Sequence, residues 1–365
     1  MLYTALADRA VLSVTGTDAR TFLQDLVTAD LAAVDAEGAR WSALLSPQGK
    51  VLFDFILVAT GEGYLIDLPS PLAPDVLRRL GLYKLRAKVE IRDASAVTNV
   101  LAMWDTPAAP PPGVVPDRSA EDAEGKGTRS PAQDAPGAPS PARAAPAPAG
   151  DDTGEALRAS LGAPTGPSPA NDEITRMAAA LGPGACIIAD PRLPALGYRA
   201  YVPRERPSSH VAPALTPADP AAYDSHRLAL GIPAGGIDFR YGDAFPHDVG
   251  MDQLGAVGFA KGCYVGQEVV SRMQHRGTAR NRPVLVAGDA DLPPTGTPLT
   301  VGERPLGTLG TVIGARGLAV VRLDRAREAM AAGTPILAAG VPVRLALPPW
   351  AQYSWPESGS GAADG

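Results

Sequence analysis

Residues 258–277 read GFAKGCYVGQEVVSRMQHRG and set Cys263, one of two cysteines in the chain, between Lys261-Gly262 and the run Tyr264-Val265-Gly266-Gln267-Glu268. A thiolate is a nucleophile and a soft metal ligand, and a nearby cation or helix N-terminus helps one form near neutral pH. Val265, Val269, Val270 and Met273 share one helical face and Gly277 can close the helix. The spacing therefore predicts a helix with Lys261, Gly262 and Cys263 at or just before its start. Free amides, the helix dipole and the Lys261 ammonium would together favour an anion there, and so a lowered thiol pKa. A small buried hydrophobe is the competing reading of the same cysteine. Gly262 and Gly266 let a ligand approach the backbone, and local physics leaves the two readings level.

Other side chains nearby carry paired readings. Glu268 complements the helix dipole or meets a ligand, and Gln267 can read a ligand's amide edge or simply face solvent. Arg272, His275, Arg276, Arg280 and Arg282 form a basic run, either a solvated helix end or a contact surface for RNA or another polyanion. Asp54 is the charged member of the apolar stretch VLFDFILVA (51–59): buried, its carboxylate needs partners and could anchor a heterocycle or an amine; the equal alternative is that it faces solvent at a sheet edge. Two cysteines and four histidines show no metal-site spacing and no disulfide framework, so no metal site is expected. No Walker loop, GxGxxG, GxSxG or HExxH motif is present, which argues against a hydrolase or a nucleotide-dependent enzyme.

These groups need a scaffold. With 365 residues, 45% hydrophobic and 20% charged, the chain can build two or three domains with real cores. A net charge of −6 opposes polyanions at long range, so RNA contact would need a local basic patch. The cysteine usage predicts a reducing, cytoplasmic location. MLYTALADRAVLSV carries Asp8 and Arg9 where a signal peptide needs its apolar core, and no run approaches a membrane span.

Thr17 can cap a helix carrying Phe22, Leu23, Leu26 and Val27 on one face. VLFDFILVA and YLIDL (64–68) read as a hairpin across TGEG, followed by a short helix around Val76–Leu80 and a strand at 88–92. Residues 106–170 hold 14 of the 38 prolines, and no aromatic residue lies between Trp104 and Tyr198; this reads as a disordered insertion. Beyond it, NDEITRMAAALG and YDSHRLALG read as helices ended by glycine, and ACIIAD as a strand. From Arg282 onward, short strands with glycine turns predict a small antiparallel barrel or sandwich. The divisions are 1–104 α+β, 105–172 insertion, 173–281 second α+β region, 282–350 barrel and 351–365 flexible tail.

The stretch KGCYVGQEVVSR (261–272) resembles the signature of the YgfZ family, folate-binding proteins of iron–sulfur cluster assembly related to the glycine-cleavage T-protein, an aminomethyltransferase. VTGTDARTFLQDLVTADL, ALLSPQGKVLFDFILV, YKLRAKVEI, DPRLPALGYRAY and HRLALGIPAGGIDFRYGDAFPHD agree in order, over roughly 1–104 and 185–330. The resemblance implies an α+β cloverleaf with ferredoxin-like regions and a C-terminal β-barrel, around a channel for a tetrahydrofolate derivative. It implies Cys263 and Lys261 as the active pair, with Gly262, Tyr264, Gly266, Gln267, Glu268 and Arg272 building their surface. Tyr223 would stack on the folate, Asp54 would anchor it, and Gln267 and Glu268 would contact it.

Phe53 replaces the adjacent acid of T-proteins, and Arg227-Leu228-Ala229-Leu230-Gly231 lacks their glutamate, which weakens an aminomethyltransferase reading. Asp25 and Ala29 stand where relatives often carry Gly and Asn. The expected function is a tetrahydrofolate-binding factor for assembly or repair of iron–sulfur clusters on client enzymes, acting as a monomer off the membrane. A folate-dependent aminomethyl- or methyltransferase, and a folate-sensing or tRNA-contacting module using Arg272, Arg276, Arg280 and Arg282, are the alternatives.

Overall fold

The computed structural model describes residues 1–105, 174, 177–178, 181–204, 215–277 and 279–356. The insertion expected at 105–172 therefore falls, beyond Asp105, outside the described residues, as do most of NDEITRMAAALG and the end of the tail.

Strands β1 (Leu2–Ala5) and β2 (Arg9–Thr15) open the chain, then helices α1 (Ala19–Gln24) and α2 (Leu31–Glu37). Next come β3 (Ala39–Leu45), β4 (Val51–Thr60), β5 (Gly63–Pro69), α3 (Ala73–Lys84) and β6 (Glu90–Asp93). The order β3-β4-β5-β2-β6 makes one antiparallel sheet. The expected hairpin is β4–β5. One face of the sheet carries Leu12, Val14, Phe55, Leu57 and Ile66 against Leu23 and Leu31 of the helices and Val76 and Leu80 of α3.

A second sheet is assembled from distant segments. β7 (Thr98–Trp104), β8 (Cys186–Ala189), β9 (Tyr198–Pro203) and β10 (Thr216–Pro217) join β1 in the order β10-β1-β7-β9-β8. Val11, Ile56, Val58 and Leu65 of the first sheet share one core with Val100, Cys186, Ile188 and Tyr201 of the second, so the two sheets pack face to face.

Helix α4 (Pro220–Ala229) follows, then a long connection and α5 (Gln267–Arg276). The chain closes into an antiparallel six-stranded barrel, β11-β14-β13-β12-β15-β16, built from β11 (Asn281–Gly288), β12 (Pro298–Val301), β13 (Arg304–Ile313), β14 (Arg316–Arg322), β15 (Ile336–Ala338) and β16 (Val341–Ala346). Helix α6 (Leu323–Ala331), absent from the sequence reading, covers it with Leu323, Ala326 and Ala329. The α+β class with a C-terminal barrel is thus the observed architecture.

Two local expectations are corrected. Asp18, not Thr17, holds the cap position of α1, and its carboxylate accepts from the Lys88 amide (2.8 Å) instead of capping the helix. Leu26 and Val27 are buried beyond the end of α1 rather than on it. Helix α5 begins at Gln267 with Gly266 as its cap residue. Val265 therefore precedes the helix, and Cys263 lies three residues before the cap. The dipole effect fades within a turn, and the helix start does not explain a reactive thiol here.

Candidate functional site

The Lys261–Gln267 loop is fixed at both ends. After α1 the chain passes through Val27, Thr28 and Ala29, with a bridge from Val27 to Leu44. Residues 256–261 lie along that run: Gly258 N–H donates to Thr28 O (2.8 Å), and Thr28 Oγ1 donates to Ala256 O (2.8 Å). Lys261 completes the seam, its buried Nζ donating to Val27 O (2.7 Å) and Ala29 O (2.8 Å). Burial pulls the Lys261 pKa down to about 8, partly opposed by Asp30 and Asp25.

On the other side, Tyr264 is buried, and burial pushes its phenol up to about 12. The Gln267 side chain accepts from the Tyr264 amide (3.3 Å), while the Gln267 amide donates to Tyr264 O (3.2 Å). Gly266 has φ +82°, and a Cβ there would meet Ser46 O at 2.5 Å and Gly49 Cα at 3.1 Å. Only glycine lets the loop lie against the β3–β4 turn.

Between these anchors Gly262 and Cys263 are exposed. The buried-hydrophobe reading of Cys263 is thereby settled against. That reading fits the other cysteine: Cys186 is fully buried, and burial pushes its thiol up to about 12, which keeps it inert.

Glu268 and Arg272 face solvent and pair with each other (2.6 Å, i to i+4). Their bond is that of an ordinary exposed helix pair, weak and solvated. The basic run does not form one surface. Arg276 and Arg280 are exposed, but Arg282 is buried, donating to His247 O (2.7 Å) and Asp252 Oδ1 (2.7 Å). RNA contact at Arg282 is corrected accordingly, since its donors are used inside the protein.

Asp54 lies buried on β4. Its Oδ2 accepts from Trp41 Nε1 (2.9 Å) and its Oδ1 from the Tyr241 hydroxyl (2.5 Å). Gly235 passes directly over this pair, since a Cβ there would sit 2.1 Å from Tyr241 Oη and 2.2 Å from Asp54 Oδ1. Trp41 and Tyr264 belong to one apolar cluster, with Tyr241 packed against it, so Asp54 is anchored to the core that also holds the Cys263 loop.

Tyr223, on α4, packs elsewhere. Its ring is tilted on Trp104 at 5.5 Å and its oxygen accepts from Arg192 Nη2 (2.9 Å).

Arg192 leads to a network that sequence reading missed. Asp67 on β5 is fully buried; its Oδ1 accepts from Arg9 Nε (2.6 Å) and its Oδ2 from Arg199 Nη1 (2.6 Å) and the Tyr201 hydroxyl (3.0 Å). Arg199 Nε also donates to Asp190 Oδ2 (3.0 Å), which Arg192 holds as well (2.7 Å). Burial alone would raise both carboxyls, but the arginines outweigh it and hold Asp67 and Asp190 below the usual range. The sequence did carry a signal: Asp67 is the charged member of YLIDL, as Asp54 is of VLFDFILVA, and DPRLPALGYRAY supplies all three of Asp190, Arg192 and Arg199.

A third buried cluster ties α4 to the barrel. Arg227 donates to Asp238 Oδ2 (3.0 Å), Ile232 O (2.7 Å) and Thr311 Oγ1 (2.8 Å). Among the described residues no group of His, Cys, Asp and Glu is placed to hold a metal, and no helix is long and apolar enough to cross a membrane.

Residues 280–353 match the family model described as CAF17, C-terminal beta-barrel domain. Over 286 residues the chain is 29% identical to the iron-sulfur cluster assembly factor IBA57 homolog, mitochondrial, of Pyricularia oryzae, covering 77% of this chain and 56% of that protein. It is 27% identical over 322 residues to the human iron-sulfur cluster assembly factor IBA57, mitochondrial, covering 85% and 72%. The chain spans little more than half the length of several of these curated relatives. In three dimensions it resembles the glycine cleavage system aminomethyltransferase T from Bartonella henselae, with a TM-score of 0.61 and 14% identity over 97% of this chain and 87% of that one. The fold is therefore T-protein-like, and the sequence is similar to iron–sulfur assembly factors of the IBA57 type. The cytoplasmic expectation is corrected: these relatives are named as mitochondrial. Scarce cysteine points to a reducing compartment without telling one from another.

Proposed function

We propose that this protein supports assembly or repair of iron–sulfur clusters on client proteins, as a member of the YgfZ branch that binds a tetrahydrofolate derivative. The observation that carries the reading is the exposed Cys263 thiol on a loop pinned by buried Lys261 and Tyr264. Pinning presents the sulfur in one place, so the entropy of positioning it is spent in folding rather than at encounter. One thiol does not hold a cluster, since clusters are held by several thiolates. The remaining ligands would come from the client or its partner.

In this reading Lys261 is a positioning residue, because both its hydrogen bonds go to backbone carbonyls. Gln267 holds the loop and Glu268 pairs with Arg272, so neither is retained as a folate contact.

Asp54 suits a folate: it is a buried carboxylate held by two neutral donors, Trp41 and Tyr241, and it can accept from the N–H edge of a heterocycle. Tyr223 is buried against Trp104 with its oxygen held by Arg192, so it is not kept as the stacking face. A reduced folate would supply one-carbon or redox chemistry. The stretch Arg227–Gly231 carries no glutamate and Arg227 is itself committed to Asp238, which favours a maintenance factor over an aminomethyltransferase.

Calorimetry with several reduced folates tests the folate half: wild type and Cys263→Ser should bind alike, and Asp54→Asn should bind about tenfold more weakly. In cells, Cys263→Ser should lower client iron–sulfur enzyme activity; unchanged activity would reject the role of the thiol.

A further inference from the structure

The segment 76–89, VLRRLGLYKLRAKV, contains no acidic residue. Its flanking acids are used locally, Asp75 on Arg78 (2.9 Å) and Glu90 on Arg92 (2.5 Å). The side-chain cations of Arg79, Lys84, Arg86 and Lys88 are left with no ion-pair partner among the described residues, the Asp18 carboxylate meeting Lys88 at its backbone amide (2.8 Å), in a chain whose net charge is −6.

The same segment exposes apolar surface. Leu82 is 68% exposed, Leu85 89% and Tyr83 37%, whereas the core side of α3 buries Ala73, Val76 and Leu80. Leu85 adopts φ 44°, ψ −107°, and only it and Ala339 have positive φ among the described non-glycine residues. A branched side chain in that region costs energy that glycine would not. Strain, exposed leucine and unpaired cations thus coincide at one tip, and the Cys263 loop and Asp54 make no use of it.

We propose that this tip is a peripheral docking site for an anionic lipid surface. A side chain as exposed as Leu85 projects from the protein and offers no groove for a peptide. A lipid interface accepts such a tip whatever its shape, with Tyr83 at the headgroup level and the four cations among anionic headgroups. The acidic remainder of the chain would turn this face toward the surface. The inference is independent of folate binding and of the thiol.

Cosedimentation of the full chain with vesicles tests it, using phosphatidylcholine alone and phosphatidylcholine with about 30 mol % phosphatidylserine. Pelleting is expected with the anionic vesicles only, falling steeply as salt rises from about 0.05 to 0.3 M. Arg86→Glu with Lys88→Glu should abolish it. Leu85→Gly should weaken it about tenfold, and because glycine suits φ 44°, that loss cannot be charged to misfolding; circular dichroism and thermal melting would confirm the intact fold. Equal binding to neutral vesicles, no binding to either, or an unchanged Leu85→Gly would overturn the proposal. So would a tip that binds an acidic protein but no vesicle.

Discussion

Lys261 and Arg199 are both buried cations, and their surroundings differ in kind. Arg199 sits between two carboxylates, Asp67 and Asp190, and its charge is raised well clear of titration. Among the described residues Lys261 has only the carbonyl oxygens of Val27 and Ala29 within hydrogen-bond reach, with Asp30 and Asp25 further off, and its pKa falls to about 8. Carbonyl dipoles satisfy the ammonium's donors but offset less of the desolvation than a full negative charge would. The first arrangement staples two sheets together. The second pins a functional loop and leaves its anchor able to titrate near physiological pH.

The largest way to break the contrast is Arg199→Leu. It takes one partner from each of two buried carboxylates, leaving Asp67 to Arg9 and Tyr201 and Asp190 to Arg192, and loss of one partner from a buried ion cluster costs about 3–5 kcal/mol. Chemical denaturation should show that loss or a chain that no longer folds. Lys261→Met removes hydrogen bonds to neutral carbonyls, a smaller loss of about 1–3 kcal/mol. If the two variants were equally destabilised, the distinction between staple and pin would fail.

The pH dependence sharpens the same contrast, because the two regions act on opposite limbs. Asp67 and Asp190 titrate lower in the fold than in the open chain. Their contribution is full above the ordinary carboxylate range and is lost as pH falls through their folded values. For Lys261 the folded value, about 8, lies below the ordinary 10.5. Between those pH values the unfolded chain binds more protons, so stability from this group rises with pH. Melting temperatures of wild type and Lys261→Met should diverge across that alkaline window. Parallel curves would show that Lys261 is not perturbed.

Much of this was legible in the sequence, and unevenly so. The hairpin β4–β5, the helix α4 and the barrel follow from periodicity and glycine turns, which are local signals. The KGCYVGQE stretch was visible as a site, but its geometry was not. Its lysine finds partners 232 and 234 residues earlier in the chain, at Ala29 and Val27, and no spacing rule reaches that far. Periodicity placed Val265 in the helix because it is apolar and in phase; Gly266 at φ +82° meets the β3–β4 turn and the helix starts only after it, at Gln267. The basic run failed for a related reason. Charge in sequence does not say which residues point inward, and Arg282 does, toward Asp252.

The smallest expected effect on stability belongs to Cys263, and its smallness is what makes it informative. Exposed residues away from caps and networks change stability by within about 0.5 kcal/mol when substituted. Cys263→Ser should therefore melt with the wild type. A thiol reagent should modify one cysteine rapidly in the folded protein and the second only on denaturation, because Cys186 is fully buried. Lys261→Met, by loosening the loop, should change the rate at which Cys263 is modified, whereas a conservative change in the ion network that still folds, Arg199→Lys, should not. If Cys263 reacted at the same rate in all three proteins, the loop would not depend on its buried anchor, and the exposed thiol would be an incidental surface cysteine.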